Sequence, residues 1–343
     1  MSQAECFTHP GQHPVQAHDW SRLRIAVLIP CYNEAVAIEK VIGDFSRALP
    51  MATVYVYDNN STDDTVQIAT AAGAVVRHEP RQGKGFVVRR MFADIDADIY
   101  VMVDGDDTYD AGAVSELIAL MTAQGLDMVN GARQEIEDAA YRAGHKFGNW
   151  LLSIIVRKVF GDEFRDMLSG FRVFSRRFVK SFPVMSGGFE IETELTIHAL
   201  ELEMPTAECI TAFKDRPAGS ASKLKTFSDG FRILWTIVKL LKQERPVLAF
   251  GLSGLILAVV SLVLAYPIFV TFLQTGLVPR FPTAILSTGL MLLAFLSLVC
   301  GLILDTVTRG RKEAKRMRYL SEPGIMATLD RIALHGDAGR PQQ

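Results

Sequence analysis

After Arg245 the sequence carries no charged residue until Arg280, and none again until Asp305. Each run exceeds the roughly 20 apolar residues that take an α-helix across a hydrocarbon core. The pattern predicts two transmembrane helices, near Val247–Phe269 and Pro282–Leu304, paired as a hairpin within residues 245–308. Core helices of a globular domain are the alternative, but two charge-free runs of this length would both need complete wrapping by protein. The composition agrees, because 49% hydrophobic content is high for a chain that is also 22% charged. Lys239, Lys242 and Arg245 precede the hairpin, and Arg309, Arg311, Lys312, Lys315, Arg316 and Arg318 follow it, against Arg280 alone in the connection. By the positive-inside bias both termini face the cytoplasm, with residues 309–343 as a basic cytoplasmic tail.

Ahead of the hairpin, Phe227, Phe231, Leu234, Val238 and Leu241 share one helical face, and Lys225, Arg232 and Lys239 share another. This predicts an interfacial amphipathic helix over 225–244, with a helix packed on a soluble domain as the competing reading. Residues 1–22, with His9, His13 and His18 and few apolar positions, read as a disordered tail.

Lys and Arg total 36 against 38 Asp and Glu, a net charge of -2, so the overall balance does not point to a polyanion-binding protein and nucleic acid is not an expected partner. Cys6, Cys31, Cys209 and Cys300 are scattered without a CxxC pair, so neither a zinc site nor a disulfide framework is expected.

Residues 23–224 have the pattern of an α/β domain. Short β-branched runs at Ile25–Ile29, Thr53–Tyr57, Ala74–Val76 and Ile99–Val103 read as buried parallel strands. Between them Glu34–Leu49 and Thr62–Ala72 carry helical spacing, the second with Ser61 as its N-cap. Ligands of open α/β sheets bind beyond the carboxyl ends of the strands. Polar clusters fall at those ends: Pro30–Glu34, Asp58–Asp64 and Asp104–Asp107.

In Asp104-Gly105-Asp106-Asp107 three carboxylates crowd together with no basic residue near in sequence, a costly arrangement unless a cation sits among them. Oxygen ligands of this kind suit Mg²⁺ or Mn²⁺, held by one or two carboxylates plus substrate phosphates. Asp104 and Asp106 are the candidate ligands. Gln82-Gly83-Lys84-Gly85 is a glycine-rich turn whose backbone could approach phosphate, with Lys84 adding charge.

Taken in order, Ile29-Pro30-Cys31-Tyr32-Asn33-Glu34, Asp58-Asn59-Asn60-Ser61-Thr62-Asp63-Asp64-Thr65 and the DxD resemble the family 2 glycosyltransferases of the A-type nucleotide-sugar fold. The resemblance implies that Pro30, Tyr32, Glu34 and Asp58 bind the nucleotide, that Asp104 supports the nucleoside, that Asp106 holds the bridging metal, and that Lys84 lies beside the nucleotide. A closer similarity is to the polyprenyl-phosphate branch, the dolichyl-phosphate-mannose-synthase-like and undecaprenyl-phosphate glycosyltransferases, over roughly Arg24 to the second membrane helix. Its marks are Gly131-Ala132-Arg133, the stretch Arg142 to Asn149, Asp166-Met167-Leu168-Ser169-Gly170-Phe171-Arg172 and Gly188-Phe189-Glu190-Ile191-Glu192. The resemblance assigns the acceptor phosphate to Arg133, with Arg142, His145, Lys146, Ser169 and Arg172 as further candidates; it brings Glu190, Glu192 and Glu194 near the site without a settled role.

What the resemblance implies is an inverting, metal-dependent hexosyltransferase that moves a sugar from a nucleotide diphosphate, UDP in preference to GDP, to a polyprenyl phosphate at the cytoplasmic face. Asp106 and Arg133 are then the catalytic candidates. Asp166 joins them if the acceptor is a hydroxyl that needs a base; its other reading is as a cap or as an orienting partner of Arg172. A processive polysaccharide synthase would add a Gln-x-x-Arg-Trp segment and more membrane helices, which this sequence lacks. An inactive membrane adaptor of the same fold is a further alternative. Gly254 and Ala258 form a small-xxx-small pair compatible with a homo-oligomer.

Overall fold

The computed structural model describes residues 6–7, 20–134, 164, 166–188, 190–217 and 246–337. The chain divides into two compact units, Met1–Thr226 with Lys315–Gln343, and Phe227–Ala314.

The first unit is built on an eight-stranded sheet in the order β1-β8-β6-β7-β5-β2-β3-β4. The strands are β1 (Cys6–Phe7), β2 (Ile25–Cys31), β3 (Thr53–Asp58), β4 (Val75–His78), β5 (Ile99–Met102), β6 (Met128–Arg133), β7 (Arg172–Ser175) and β8 (Thr206–Thr211). Pairs β2–β3, β2–β5, β3–β4 and β6–β8 are parallel, whereas β7 runs antiparallel to both β5 and β6. This is the mostly parallel Rossmann-like sheet the sequence predicts. β2 is buried through Ile29 because helices cover both faces of such a sheet, so its residues are apolar on both sides instead of alternating. Helix α1 (Ile38–Ala48) buries Ile38, Val41, Ile42 and Phe45, the stripe expected at helical period. The Phe45 ring meets Phe171 edge to face at 5.9 Å.

Helix α2 (Thr65–Ala71) is shorter than its sequence pattern, and Ser61 does not cap it. Its hydroxyl instead accepts from the Asn33 N–H at 2.9 Å, so the residues ahead of the helix are committed to a neighbouring loop. Helices α3 (Lys84–Asp94) and α4 (Val114–Gln124) follow β4 and β5; α5 (Arg176–Ser181) and α6 (Ile191–Glu201) lie between β7 and β8.

Further features depart from the sequence reading. β4, expected to be buried, is instead the edge strand of the sheet and largely exposed, because nothing among the described residues pairs with its outer side. Cys6–Phe7 pair antiparallel with β8, setting Cys6 opposite Cys209, and Cys209 is disulfide-bonded, not a separate thiol. A two-residue strand inside a polar segment has no periodicity to reveal it. The residues after 315 are also packed on this unit. Helix α9 (Ile325–Asp337) places Ile325, Leu329 and Ile332 against the core, and Tyr319 donates to the buried Asp127 at 2.6 Å.

The second unit holds α7 (Pro246–Thr275) and α8 (Phe281–Ser321) as far as Ala314, and both helices are long and apolar enough to cross a membrane. They pack closely: a Cβ at Gly254 would lie 2.9 Å from the Ala294 carbonyl oxygen, and Ser261 donates to the Ser287 carbonyl at 2.7 Å. Outward-facing Leu255, Leu262, Val263, Leu292, Phe295 and Leu302 are all more than half exposed, an apolar surface too extensive for water.

Candidate active site

Three loops at the carboxyl ends of β2, β3 and β5 meet, and each turns through a left-handed residue: Asn33 (φ 54°), Asn60 (φ 65°) and Asp107 (φ 57°). Asn and Asp are the side-chain-bearing residues that enter this region most readily. The first two loops are laced together. Asn33 Oδ1 accepts from the Thr62 N–H at 2.7 Å, Thr65 Oγ1 accepts from the Glu34 N–H at 2.8 Å, and Asp63 Oδ2 accepts from the Ala35 N–H at 3.2 Å. These bonds use up the first amides of the predicted Glu34–Leu49 helix, and α1 begins only at Ile38. Pro30 and Tyr32 are half-buried at the end of β2, while Glu34 and Asp58 are buried. Asp58 accepts from the Ser61 N–H at 3.1 Å and meets His78 Nδ1 at 3.0 Å.

Asn59 ties this pair of loops to the Gly-Lys-Gly turn, which sequence reasoning did not foresee. Its amide donates to the carbonyls of Glu79 at 2.9 Å and Arg81 at 2.7 Å, and its Oδ1 accepts from the Gly83 N–H at 2.7 Å. The turn is thereby fixed against the loop that carries Asp58.

The acidic cluster is balanced from remote parts of the chain. Lys84 Nζ lies 2.5 Å from Asp104 Oδ1, Arg216 Nη2 lies 2.7 Å from Asp106 Oδ2, and Lys40 Nζ lies 2.7 Å from Asp107 Oδ1. The crowding read from sequence is thus met by a cation at each acid. Thr108 donates its hydroxyl to Asp106 Oδ1 at 2.6 Å, which sets the direction of that carboxylate. Among the described residues no group of three or more His, Cys, Asp or Glu is arranged to hold a metal. The hard oxygens of Asp106, with Asp104 beside them, fit a cation that takes its other ligands from a diphosphate and water. For Asp106 Oδ2 to serve, Arg216 must give way.

Lys84 also contacts the buried Glu192, Nζ to Oε1 at 2.5 Å. Burial lowers the Lys84 pKa, but Asp104 and Glu192 outweigh it and hold the ammonium charged, well above its ordinary range.

On the other side of the DxD loop, Arg133 closes β6. Asp166 accepts from Arg133 Nε at 2.7 Å, from Nη2 at 2.8 Å and from its backbone N–H at 3.1 Å. Burial pushes the Asp166 carboxyl up, and the hydrogen bonds and charge of Arg133 overcome this to hold it below the ordinary value. Asp166 is therefore the orienting partner of Arg133 and not of Arg172. The Asp166 loop is set by Asn130, which donates to the Asp166 carbonyl and to Glu208, both at 2.8 Å.

Arg172 is fully buried, donating to the carbonyls of Ser169 at 3.0 Å and Met167 at 2.7 Å and to the Thr196 hydroxyl at 2.8 Å. Ser169 is equally buried and donates to the Gly131 carbonyl at 2.5 Å. Both brace the loop that carries Asp166 and lie beneath the site instead of lining it. Arg142, His145 and Lys146 lie outside the described residues, as does the predicted interfacial helix. Phe213 is a further residue that the motifs did not reveal. Tyr109 meets its ring at 5.4 Å and the Arg133 guanidinium lies 5.5 Å from its centroid, so one aromatic ring joins the DxD loop to the arginine.

These features match the A-type glycosyltransferase fold, and comparison with known proteins gives the family. The description of glycosyl transferase family 2 matches residues 26–182. Glycosyltransferase AglJ of Haloferax volcanii is 34% identical over 232 residues, which are 67% of this chain and 76% of that protein. A dolichyl-phosphate hexose transferase of the same organism is 28% identical over 64% of this chain and 95% of its own length. The structure of glucosyl-3-phosphoglycerate synthase from Mycobacterium tuberculosis with Mn²⁺ and UDP-glucose superposes with a TM-score of 0.52 at 26% identity, over 65% of this chain and 79% of that one. The chain belongs to glycosyltransferase family 2. It is a glycosyltransferase followed by two apolar helices that could cross a membrane.

Proposed function

We propose that this enzyme transfers a hexose from a UDP-sugar to a polyprenyl phosphate, with inversion, at the cytoplasmic face of a membrane. The observation that carries the reading is the position of Arg133, clamped by Asp166 and one aromatic ring away from the DxD loop. A fixed guanidinium at that point suits an acceptor phosphate, because arginine recognises phosphate in a forked geometry. The two membrane-length helices and the similarity to a dolichyl-phosphate hexose transferase support a lipid carrier. UDP is supported by the M. tuberculosis neighbour solved with UDP-glucose and Mn²⁺. The basic flanks of the apolar hairpin support cytoplasmic termini.

In this reading Glu34, Asp58 and Asp104 hold the base and nucleoside at the carboxyl ends of β2, β3 and β5, with Pro30 and Tyr32 shaping the same pocket. Asp106, with Asp104 beside it, would hold Mg²⁺ or Mn²⁺, which offsets the negative charge that grows on the departing diphosphate. Arg133 aligns a phosphate oxygen of the acceptor with the anomeric carbon. That oxygen forms the new glycosidic bond as the bond to the donor's β-phosphate oxygen breaks, and the electron pair leaves with UDP. A phosphate monoester, with a second pKa of about 6, is mostly ionised at neutral pH, so no side chain must remove a proton. The state of Asp166 agrees: a carboxylate gripped by arginine and held below its usual pKa is a poor general base. Arg142, His145 and Lys146 are proposed as further phosphate contacts, while Ser169 and Arg172 brace the Asp166 loop that holds Arg133.

The test is transfer of radiolabelled sugar from a panel of nucleotide sugars to undecaprenyl or dolichyl phosphate in detergent with Mg²⁺ or Mn²⁺, beside an Asp106→Ala control. Label entering the organic phase with one donor, and lost in the control, supports the proposal and names the sugar. Label appearing only on a hydroxyl acceptor overturns it and makes Asp166 the candidate base.

A further inference from the structure

The glutamates of Glu190-Ile191-Glu192-Thr193-Glu194 have no part in the mechanism above, yet two of them reach the donor side of the site. Glu192, in the first turn of α6, is 5% exposed and holds the Lys84 ammonium; the Lys84 side chain is itself 9% exposed. The lysine is shared between this glutamate and Asp104, at 2.5 Å from each. A diphosphate would have to displace a buried carboxylate to claim it. On its other side Asp104 is stopped by the chain: a Cβ at Gly170 would strike the Asp104 carboxylate. Asp104 is thus pinned between the Lys84 ammonium and the Gly170 backbone.

The backbone around this strut is closely interlocked. A Cβ at Gly83 would collide with the Gly187 carbonyl oxygen, and one at Gly85 with that of Ser186. The segment before α6 therefore lies directly on the Gly-Lys-Gly turn. Glu194 holds that segment in place, its carboxylate accepting from the N–H groups of Met185 at 2.7 Å and Ser186 at 2.8 Å. Just ahead of them Val184 sits at φ 44°, a conformation that a β-branched residue adopts only when its surroundings impose it. α6 thus presses a strained turn onto the donor loop and delivers one buried carboxylate to its lysine.

From this we infer that Lys84 is a strut between Glu192 and Asp104, and that Glu192 is a positioning residue that acts through Lys84 to aim Asp104 at the nucleoside of the donor. The inference rests on the donor-site reading given above. It changes the role of Lys84 from a phosphate ligand to the holder of a nucleoside ligand.

The two roles separate by which part of the ligand feels the loss. A lysine that binds diphosphate matters for UDP and little for UMP, whereas a strut that aims Asp104 matters equally for both. The full-length protein in detergent micelles, with Mn²⁺, is titrated calorimetrically with UDP and with UMP for the wild type, Glu192→Gln, Lys84→Met and the double variant. Each single variant is expected to weaken both ligands about tenfold, a difference of about 1.4 kcal/mol. The double variant is expected to be no weaker than either single one, because the two side chains act in series. It also removes both buried charges together, so it keeps the fold even if a single variant, left with a stranded charge, does not. Losses confined to UDP, or losses that add in the double variant, overturn the inference. Unchanged binding in Glu192→Gln does so as well. If the wild type binds neither UDP nor UMP, the donor-site reading itself fails, and the inference fails with it.

Discussion

Asp166 holds Arg133 by two parallel hydrogen bonds, Oδ2 accepting from Nε and Oδ1 from Nη2, while a third from the Arg133 backbone N–H fixes the carboxylate to the end of β6. Two groups locked in this way act as one. Asp166→Asn keeps the shape but weakens the grip, and the expected loss is about 10- to 100-fold in kcat/KM for the phosphate acceptor, or roughly 1.4–3 kcal/mol. The loss should appear chiefly in the acceptor KM, with the donor KM little changed. Arg133→Lys should do no better, because a point charge cannot take both carboxylate oxygens. Steady-state kinetics with the acceptor varied checks both. A fall in kcat accompanied by a lost pH limb would instead mark Asp166 as a base.

On the proposed reading Arg216 and a metal ion would compete for the same oxygen of Asp106. The guanidinium lies 2.7 Å from Asp106 Oδ2, and its segment is held beside the DxD loop by the Lys214 N–H, which donates to the Thr108 carbonyl at 2.8 Å. Arg216→Ala removes the competing charge and leaves the carboxylate directed by Thr108. The nucleotide-free variant is expected to bind Mn²⁺ on the order of tenfold more tightly than the wild type. Free Mn²⁺ measured by electron paramagnetic resonance during a titration checks this, and an equal or weaker affinity would count against the competition.

Much of this site was legible because its loops follow strands whose β-branched runs stand out against polar ends. Order and spacing put Asp58, Asp104 and Asp106 at the carboxyl ends of strands, while their roles rest on the family resemblance. The partners that set their charge could not be placed in this way, since Lys40, Lys84 and Arg216 come from distant turns and helices that only the folded sheet brings to one edge. Ser61 shows the limit most clearly. Its position before a helical pattern suits a cap, but the Asn33 N–H takes its hydroxyl, and local sequence carries no sign of that competition. Arg172, a phosphate candidate only through the resemblance, is buried completely by packing that its motif does not reveal. The apolar hairpin needed no such long-range information, because its charge-free length is the whole argument.

The last turn of the second long helix makes a tertiary contact of its own. Asp127, completely buried, accepts from Arg177 Nε at 2.6 Å and Nη2 at 2.7 Å, from the Ser175 hydroxyl at 2.7 Å and from the Tyr319 hydroxyl at 2.6 Å. The Arg177 guanidinium also lies 4.5 Å from the centroid of the Tyr319 ring. Tyr319→Phe keeps the ring and removes one bond to a buried charge, at an expected cost of about 1.5–3 kcal/mol. Asp127→Ala, which strands Arg177, should cost more, about 3–5 kcal/mol. Thermal unfolding of the purified variants gives the order, and a Tyr319→Phe midpoint equal to wild type would show that this contact is not formed in solution.

His198 should make the catalytic unit sensitive to mild acid. It is 2% exposed, its Nε2 lies 3.2 Å from the Ser181 hydroxyl, and the rings of Phe178 and Phe182 pack on it at 5.4 and 5.1 Å. Burial, with a smaller contribution from Lys315, lowers its pKa to about 3. The unfolded chain takes up this proton near pH 6.5 and the folded one does not until about 3, so between these values the unfolded state binds more protons and stability falls as the pH falls. The slope approaches about 1.4 kcal/mol per pH unit, which amounts to about 2 kcal/mol by pH 5. His198→Met removes the titration while keeping an apolar side chain of similar bulk. Its absolute stability at pH 8 reports the lost bond to Ser181, and only the pH dependence tests the histidine. Unfolding midpoints measured from pH 8 to 5 should drop more steeply for the wild type than for His198→Met, and parallel curves would mean that His198 is protonated in the folded protein.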